Sequence, residues 1–142
     1  MATAGYSGKP VAAKLGFKPG MAAAFVALPP ECGTLAEWPD FASVERFDGW
    51  RAGFGARRFD LIHAFTKRRA DIEGGLTGLG SAIRADGMIW VSWPKKASKV
   101  LTDVTEDVIR AEALKGDLVD VKVAAIDAVW SGLKLVIRKD RR

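Results

Sequence analysis

Two short tryptophan-containing segments carry the side chains best suited to binding chemistry. The first runs from Trp93 to Lys99 and the second from Trp130 to Lys134. Lysine ammonium and serine hydroxyl groups suit an anion such as a phosphate or carboxylate, and an indole face suits a planar ring or a cation. The predicted ligand-binding residues are Trp93, Lys95, Lys96, Ser98, Lys99, Trp130, Ser131 and Lys134.

Catalytic and metal-binding patterns are absent from the sequence. The chain has one histidine, His63, and one cysteine, Cys32, and it contains no Ser-His-Asp, paired-carboxylate, P-loop or metal-ligand pattern. His63 shares strand parity with Leu61 and Phe65, which predicts a position in the core. Cys32 has no basic neighbour in sequence, so we expect an unreactive thiol. The sequence therefore predicts no catalytic residue and no metal site, and it favours a protein that is not an enzyme.

Length and charge distribution set further limits. A chain of 142 residues suffices for one domain, and we expect a single domain over 1–142 with 1–8 and 139–142 flexible. The net charge is +5, and the last five residues supply +3 of it with four bases and one acid. The single cysteine suits a reducing, cytoplasmic setting. The apolar run 21–28 is too short to span a membrane and lacks a signal-peptide cleavage site, so no membrane association is expected.

Hydrophobic periodicity predicts the elements that position the two tryptophan segments. Strands are expected over 21–28, 43–47, 59–65, 88–93, 119–125 and 133–137, with a buried helix as the alternative for the first. Helices are expected over 9–17, over 67–85 with Thr66 as the cap, and in a segment that ends at Lys115. Asp86-Gly87 is expected to form a turn.

The order of these elements predicts an α/β fold. We expect a mostly parallel sheet of five to six strands, with helices on both faces and an antiparallel C-terminal hairpin. This order resembles the Rossmann-like fold of class I methyltransferases, in which the last strand inserts beside the strand before the final helix. The resemblance implies that 133–137 pairs with 88–93. Both tryptophan segments would then face each other at one edge of the sheet, where open parallel sheets bind ligands.

The residues after the first predicted strand argue against S-adenosylmethionine as a cofactor. Leu28-Pro-Pro-Glu-Cys-Gly33 contains one glycine where nucleotide loops use several, and its prolines lack amide donors. Asp48 follows about twenty residues later, where an acidic residue often holds a ribose. Asp48-Gly49 is also a good turn, and that role is the one we expect. The sequence therefore predicts no cofactor.

Four segments resemble a bacterial family known as domain of unknown function 3052. They are Ala4–Gly8, Trp90–Ser98, Thr105–Val108 and Trp130–Lys134, and the two of these four that contain tryptophan are the most specific. The resemblance covers most of the chain. It implies a small cytosolic bacterial protein, and it implies no activity, substrate or cofactor.

Three functional hypotheses follow from these patterns. The leading one is a non-catalytic binding or regulatory protein that engages an anionic small molecule, a protein partner or a second copy of itself at the Trp/Lys edge. The alternative is a small group-transfer enzyme, methyltransferase-like, that uses the same edge. The second alternative is a nucleic-acid-binding protein whose basic stripe joins Lys67–Arg69, the lysines of the first tryptophan segment and the C-terminal tail.

Overall fold

A six-stranded mixed sheet forms the centre of the computed structural model, which describes residues 10–142. The strands are β1 (Ala22–Val26), β2 (Ser43–Phe47), β3 (Phe59–Phe65), β4 (Ile83–Pro94), β5 (Leu118–Ala125) and β6 (Trp130–Ile137). Their order across the sheet is β2-β1-β3-β4-β6-β5. The first four strands run parallel to one another, and β6 runs antiparallel to both β4 and β5. The predicted fold class is confirmed.

Helices cover both faces of this sheet. Helices α2 (Arg69–Ala82) and α3 (Glu106–Lys115) pack on one face through buried residues such as Ile72 and Ile109. The short helix α1 (Val11–Lys14) and a 3-10 segment, Pro30–Glu37, pack on the other face around Leu15 and Trp90. Within residues 10–142, no helix is both long enough and apolar enough to cross a membrane. The predictions for residues 1–8, and for Lys9 as a helical residue, lie outside the described residues.

Helix α2 begins later than its sequence suggested. The residue that caps it is Arg68, whose side chain makes no capping hydrogen bond. The Thr66 hydroxyl instead accepts a hydrogen bond from the Arg68 amide at 3.0 Å and donates one to the Asp71 carboxylate at 2.6 Å. Thr66 therefore ties the end of β3 to the first turn of α2, and its prediction as the helix cap is wrong.

Strand β4 begins earlier than predicted because tertiary pairing overrides local turn preference. Ile83 pairs with Phe59 of β3, so residues 83–85 are strand rather than helix. The expected turn at Asp86-Gly87 lies inside β4, beside a shift in the β3–β4 register. A Cβ atom at Gly87 would lie 3.1 Å from the Phe59 carbonyl oxygen, so a glycine permits this close approach.

The C-terminal hairpin inserts as expected. Strand β6 pairs with β4 from Met88 opposite Val136 to Pro94 opposite Trp130. On its other side β6 pairs with β5, which is the edge strand. This insertion brings the two tryptophan segments to the carboxyl end of β4, and that part of the prediction is confirmed.

The glycines of α2 are expected to respond in opposite directions to alanine. A Cβ at Gly75 would lie 3.0 Å from the Trp50 carbonyl oxygen, whereas a Cβ at Gly78 would meet nothing within 4 Å. We expect Gly78→Ala to stabilise the protein by about 0.5–1 kcal/mol through helix propensity, and Gly75→Ala to destabilise it by about 1 kcal/mol through overpacking. Urea unfolding measures both, and equal stabilisation by the two substitutions would contradict this packing.

Candidate functional site

An open cleft of about 700 Å³ lies beyond the carboxyl ends of β1, β2 and β3. Its walls are residues 27–31 after β1, residues 46–48 at the end of β2, residues 65–68 at the end of β3, and the residues Asp71 and Trp130. In the sheet, β2 lies next to β1 on one side, and β3 lies next to β1 on the other side. Strands β1 and β3 therefore flank a topological switch point, which is where open α/β sheets bind ligands.

The loop after β1 turns over this cleft without a glycine. Ala27 adopts a left-handed conformation with φ of 54°, which costs a residue with a side chain about 1–2 kcal/mol. Its amide donates to the Phe47 carbonyl oxygen at 2.8 Å, which holds the loop against the end of β2. Pro29 and Pro30 then carry no amide hydrogen. The loop thus forms a wall of the cleft and offers a ligand few backbone donors.

A hydrogen-bonded tryptophan closes the end of the cleft nearest β6. The Trp130 indole donates to a Glu31 carboxylate oxygen at 3.2 Å, and its ring packs edge-on against Phe65 with centroids 5.3 Å apart. Trp130 is 3% exposed, so its ring is mainly a packing element and its edge borders the cleft. This contact connects the β1 loop to the start of β6.

Charged groups of both signs line the cleft. The cations are Arg46, Lys67 and Arg68, and the acids are Glu31, Asp48 and Asp71. Asp71 is engaged by Thr66 and by Arg68, whose guanidinium lies 3.5 Å away. Asp48 is exposed at the carboxyl end of β2, and it forms no ion pair within residues 10–142. The Asp48 carboxylate, which no protein cation pairs with in the described residues, is therefore exposed to a ligand in the cleft.

The predicted ligand-binding residues reach one edge but separate onto two faces of the sheet. Trp93 lies opposite Ser131 on the face covered by α2 and α3, whereas Trp130 and Lys134 point to the other face. Lys134 also lies about 13 Å along β6 from Trp130. The expectation that Trp93 faces Trp130 is wrong because alternate residues of a strand point to opposite faces.

The remaining predicted residues form the chain segment after β4. The Ser98 hydroxyl donates to the Lys95 carbonyl oxygen at 2.7 Å and accepts from the Val100 amide at 3.2 Å, so it completes a turn. Lys96 and Lys99 are exposed beside it. Of the eight predicted residues, Trp130 lines the cleft. A ligand-binding role for the eight stays a prediction.

The lone histidine and cysteine are buried. His63 lies in the core as predicted, and its Nε2 atom lies 2.7 Å from the Ser92 hydroxyl. Burial lowers the pKa of His63 to about 3, so its ring is neutral at physiological pH. Burial and the neighbouring carboxylate of Asp127 raise the pKa of the Cys32 thiol to about 12, in agreement with the expected unreactive thiol.

The three basic segments do not share one edge. Lys67–Arg69 and the lysines after β4 lie at the carboxyl ends of the parallel strands. The C-terminal tail follows β6, which is antiparallel, and therefore lies at the opposite end of the sheet. In that tail Arg141 forms an ion pair with Asp117 at 3.6 Å. The tail forms a 3-10 turn over Lys139–Arg141, and its flexibility stays a prediction.

Several solved structures with a similar fold are methyltransferases. An S-adenosylmethionine-dependent methyltransferase from Aquifex aeolicus matches with a TM-score of 0.66 and 12% identity, over 90% of this chain and 88% of that chain. A putative type 11 methyltransferase from Sulfolobus solfataricus matches with a TM-score of 0.64 and 12% identity, over 90% of this chain and 89% of that chain. This chain has the class I methyltransferase fold. Magnesium protoporphyrin IX methyltransferase from Synechocystis PCC 6803, with bound S-adenosylhomocysteine, matches with a TM-score of 0.58 and 12% identity. The match covers 89% of this chain and 78% of that chain.

These matches overturn one expectation and leave another open. The expectation that S-adenosylmethionine is not a cofactor is contradicted, because similar structures include S-adenosylmethionine-dependent methyltransferases and one that contains bound S-adenosylhomocysteine. No protein-family model and no curated protein sequence matches this chain. Membership of the domain of unknown function 3052 family therefore stays a prediction.

Sequence reasoning placed the site at the end of β4 and missed most of the cleft. Thr66, Asp71 and Glu31 were not among the predicted site residues, and Asp48 was assigned to a turn. The available signal was the position of Asp48 after the second strand. The position of Asp48 indicates a ribose-binding carboxylate only together with the strand order, which identifies the switch point.

Proposed function

We propose that the cleft binds S-adenosylmethionine and that the protein is a small methyl-transfer enzyme. The observation that carries this proposal is the position of Asp48, which is exposed at the end of β2 and borders a cleft at the switch point of a methyltransferase fold. A carboxylate at this position suits the hydroxyl groups of a ribose. The cleft volume lies in the range of sites for small-molecule cofactors.

The side chains of the cleft fit the separate parts of this cofactor. Asp48 would accept hydrogen bonds from the ribose, and the apolar Leu28 and Phe47 would contact the adenine. Lys67 and Arg68 would attract the carboxylate of the methionine portion. The proline-containing loop supplies few amide donors, so we expect these side chains to provide most of the binding free energy.

Methyl transfer also requires a place for the acceptor and for its proton. When bound, S-adenosylmethionine supplies a methyl group activated by its sulfonium. Glu31 borders the cleft at the Trp130 end, and the Trp130 indole holds one of its oxygens. Asp71 is already engaged by Thr66 and Arg68. Glu31 is therefore the carboxylate best placed to take the proton that the acceptor loses.

Substitution of Asp48 tests the cofactor site. We expect Asp48→Ala to weaken S-adenosylhomocysteine binding by about 10- to 100-fold, because hydrogen bonds to a charged group contribute about 1.5–3 kcal/mol. Calorimetric titration of the folded variants measures this change. Asp40→Ala is the matched control, since Asp40 is an exposed acid at the opposite end of β2.

Two results would contradict the proposed site. One is the absence of S-adenosylhomocysteine binding to the wild-type protein, and the other is equal affinity of the wild-type and Asp48→Ala proteins. Binding without methyl transfer to any acceptor would favour the second candidate function, a non-catalytic binding protein. The observation that favours this candidate is the loop after β1, which has two prolines and few amide donors.

We also propose a cytoplasmic, bacterial setting and membership of the domain of unknown function 3052 family. The support is the single cysteine, which is buried, together with the tryptophan segments. Exposed lysines at the end of β4 support binding of an anionic small molecule there, in the non-catalytic candidate. Nucleic acid is less well supported, because the C-terminal tail lies at the other end of the sheet.

A further inference from the structure

Two lysines lie directly opposite each other on the C-terminal hairpin. Lys122 of β5 pairs with Lys134 of β6, so their side chains leave the same face of the sheet. Residues opposite each other in an antiparallel pair have Cβ atoms about 5 Å apart, and like charges in such a pair are destabilising. The hairpin therefore places two lysines at directly opposed positions, which costs stability.

The charge of a third lysine also acts on Lys134. Helix α1 lies over the end of β5, where the Lys14 ammonium donates to the Ala125 carbonyl oxygen at 3.1 Å. Lys18 follows this helix, and burial together with the charges of Lys122 and Lys18 lowers the pKa of Lys134. No carboxylate contributes to that pKa shift. Lys18, Lys122 and Lys134 are called the lysine face below.

The lysine face lacks internal charge compensation. Within residues 10–142, none of its three members forms an ion pair. Water can hydrate the ammonium groups of Lys18 and Lys122, because both side chains are exposed. Lys134 is half-buried on the sheet, so its ammonium group is less well hydrated. A ligand that carries concentrated negative charge would relieve the repulsion and replace the lost hydration of Lys134.

We propose that the lysine face is a binding site for a small phosphate-bearing ligand, separate from the cleft. Phosphate oxygens accept hydrogen bonds from several ammonium groups at once, and two groups at cross-strand spacing converge on one phosphate. A nucleic-acid strand would require a continuous basic stripe. The other basic segments lie at the two ends of the strands, whereas Lys134 lies mid-strand on one face.

Pyrophosphate is the probe for this site. The double variant Lys122→Met/Lys134→Met keeps the apolar stems and removes both charges, and Lys139→Met is the control on the exposed tail. We expect the wild-type protein to bind pyrophosphate at low ionic strength and the double variant to lose at least about tenfold in affinity. We expect the control to bind like the wild type. The double variant should also unfold at a higher temperature without ligand, because the repulsion is removed.

The location of binding is read from backbone amide chemical shifts during the titration. Shifts centred on Lys122 and Lys134 support the site, whereas shifts confined to the segment after β4 overturn it. Undiminished affinity in the double variant also overturns it. Binding of a short single-stranded oligonucleotide through these lysines, without binding of pyrophosphate, overturns the small-ligand assignment. If the double variant does not fold, Lys122→Met at an exposed position provides the same comparison.

Discussion

Lowering the pH from about 7 to about 4 is expected to cost the protein about 3 kcal/mol of stability through His63 alone. His63 is fully buried between β1 and β4, it stacks on Phe65 with centroids 4.2 Å apart, and no charged group contributes to its pKa shift. Its Nδ1 atom has no hydrogen-bond partner within the described residues, so a proton added there would remain unpaired. Burial is thus the cause of the lowered pKa.

The sign follows from the two protonation states of His63. In the unfolded chain the pKa is 6.5 and in the folded protein it is about 3. Between these values the unfolded state binds a proton that the folded state does not bind. Stability is therefore fully present above the unfolded pKa and falls as the pH decreases towards the folded pKa.

His63→Gln separates the contribution of His63 to the pH dependence of stability from the contribution of the acidic side chains. Glutamine can keep a polar atom near the Ser92 hydroxyl, and it does not titrate. Chemical unfolding of both proteins over this pH range should show a shallower loss of stability in the variant, by about 3 kcal/mol at pH 4. Parallel curves for the two proteins would contradict the burial of a neutral histidine.

Trp90→Ala is expected to destabilise the protein by about 3–5 kcal/mol. Trp90 is fully buried in the centre of β4, and its indole donates a buried hydrogen bond to the Leu15 carbonyl oxygen at 2.9 Å. This bond connects α1 to the sheet across 75 positions of sequence. The substitution would remove a fully buried indole from the core between α1 and the sheet, and it would leave the Leu15 carbonyl oxygen unpaired.

Smaller substitutions separate packing from hydrogen bonding. Trp90→Phe retains most of the apolar surface and loses the donor, so we expect a cost of about 1–3 kcal/mol. Trp38→Phe is the control, because Trp38 is half-buried in the same core cluster and its indole donates no hydrogen bond within residues 10–142. Urea unfolding measures all three variants. Similar costs for Trp90→Phe and Trp38→Phe would show that the bond to Leu15 contributes nothing.

Local sequence patterns predicted a segment at each of the six strands, and the order of those segments predicted the fold class. Strand 59–65 matches β3, and the alternation around 133–137 predicted β6. The insertion of β6 beside β4 followed instead from the resemblance to the class I methyltransferase fold. These features depend on neighbours in sequence and on a known order of elements. The same patterns failed at 83–87, where pairing of Ile83 with Phe59 extends β4 through a favourable turn sequence.

Tertiary structure alone decided where the candidate site lies. The register of β4 and β6 sets Trp93 and Trp130 on opposite faces, and a shift of one residue would have placed them together. The strand order makes β1 and β3 the switch point, and it brings Asp48, Thr66 and Glu31 to one cleft from distant parts of the chain. Strand order and register depend on long-range packing. Local sequence patterns therefore determined the elements, and only the packed sheet determined which side chains meet.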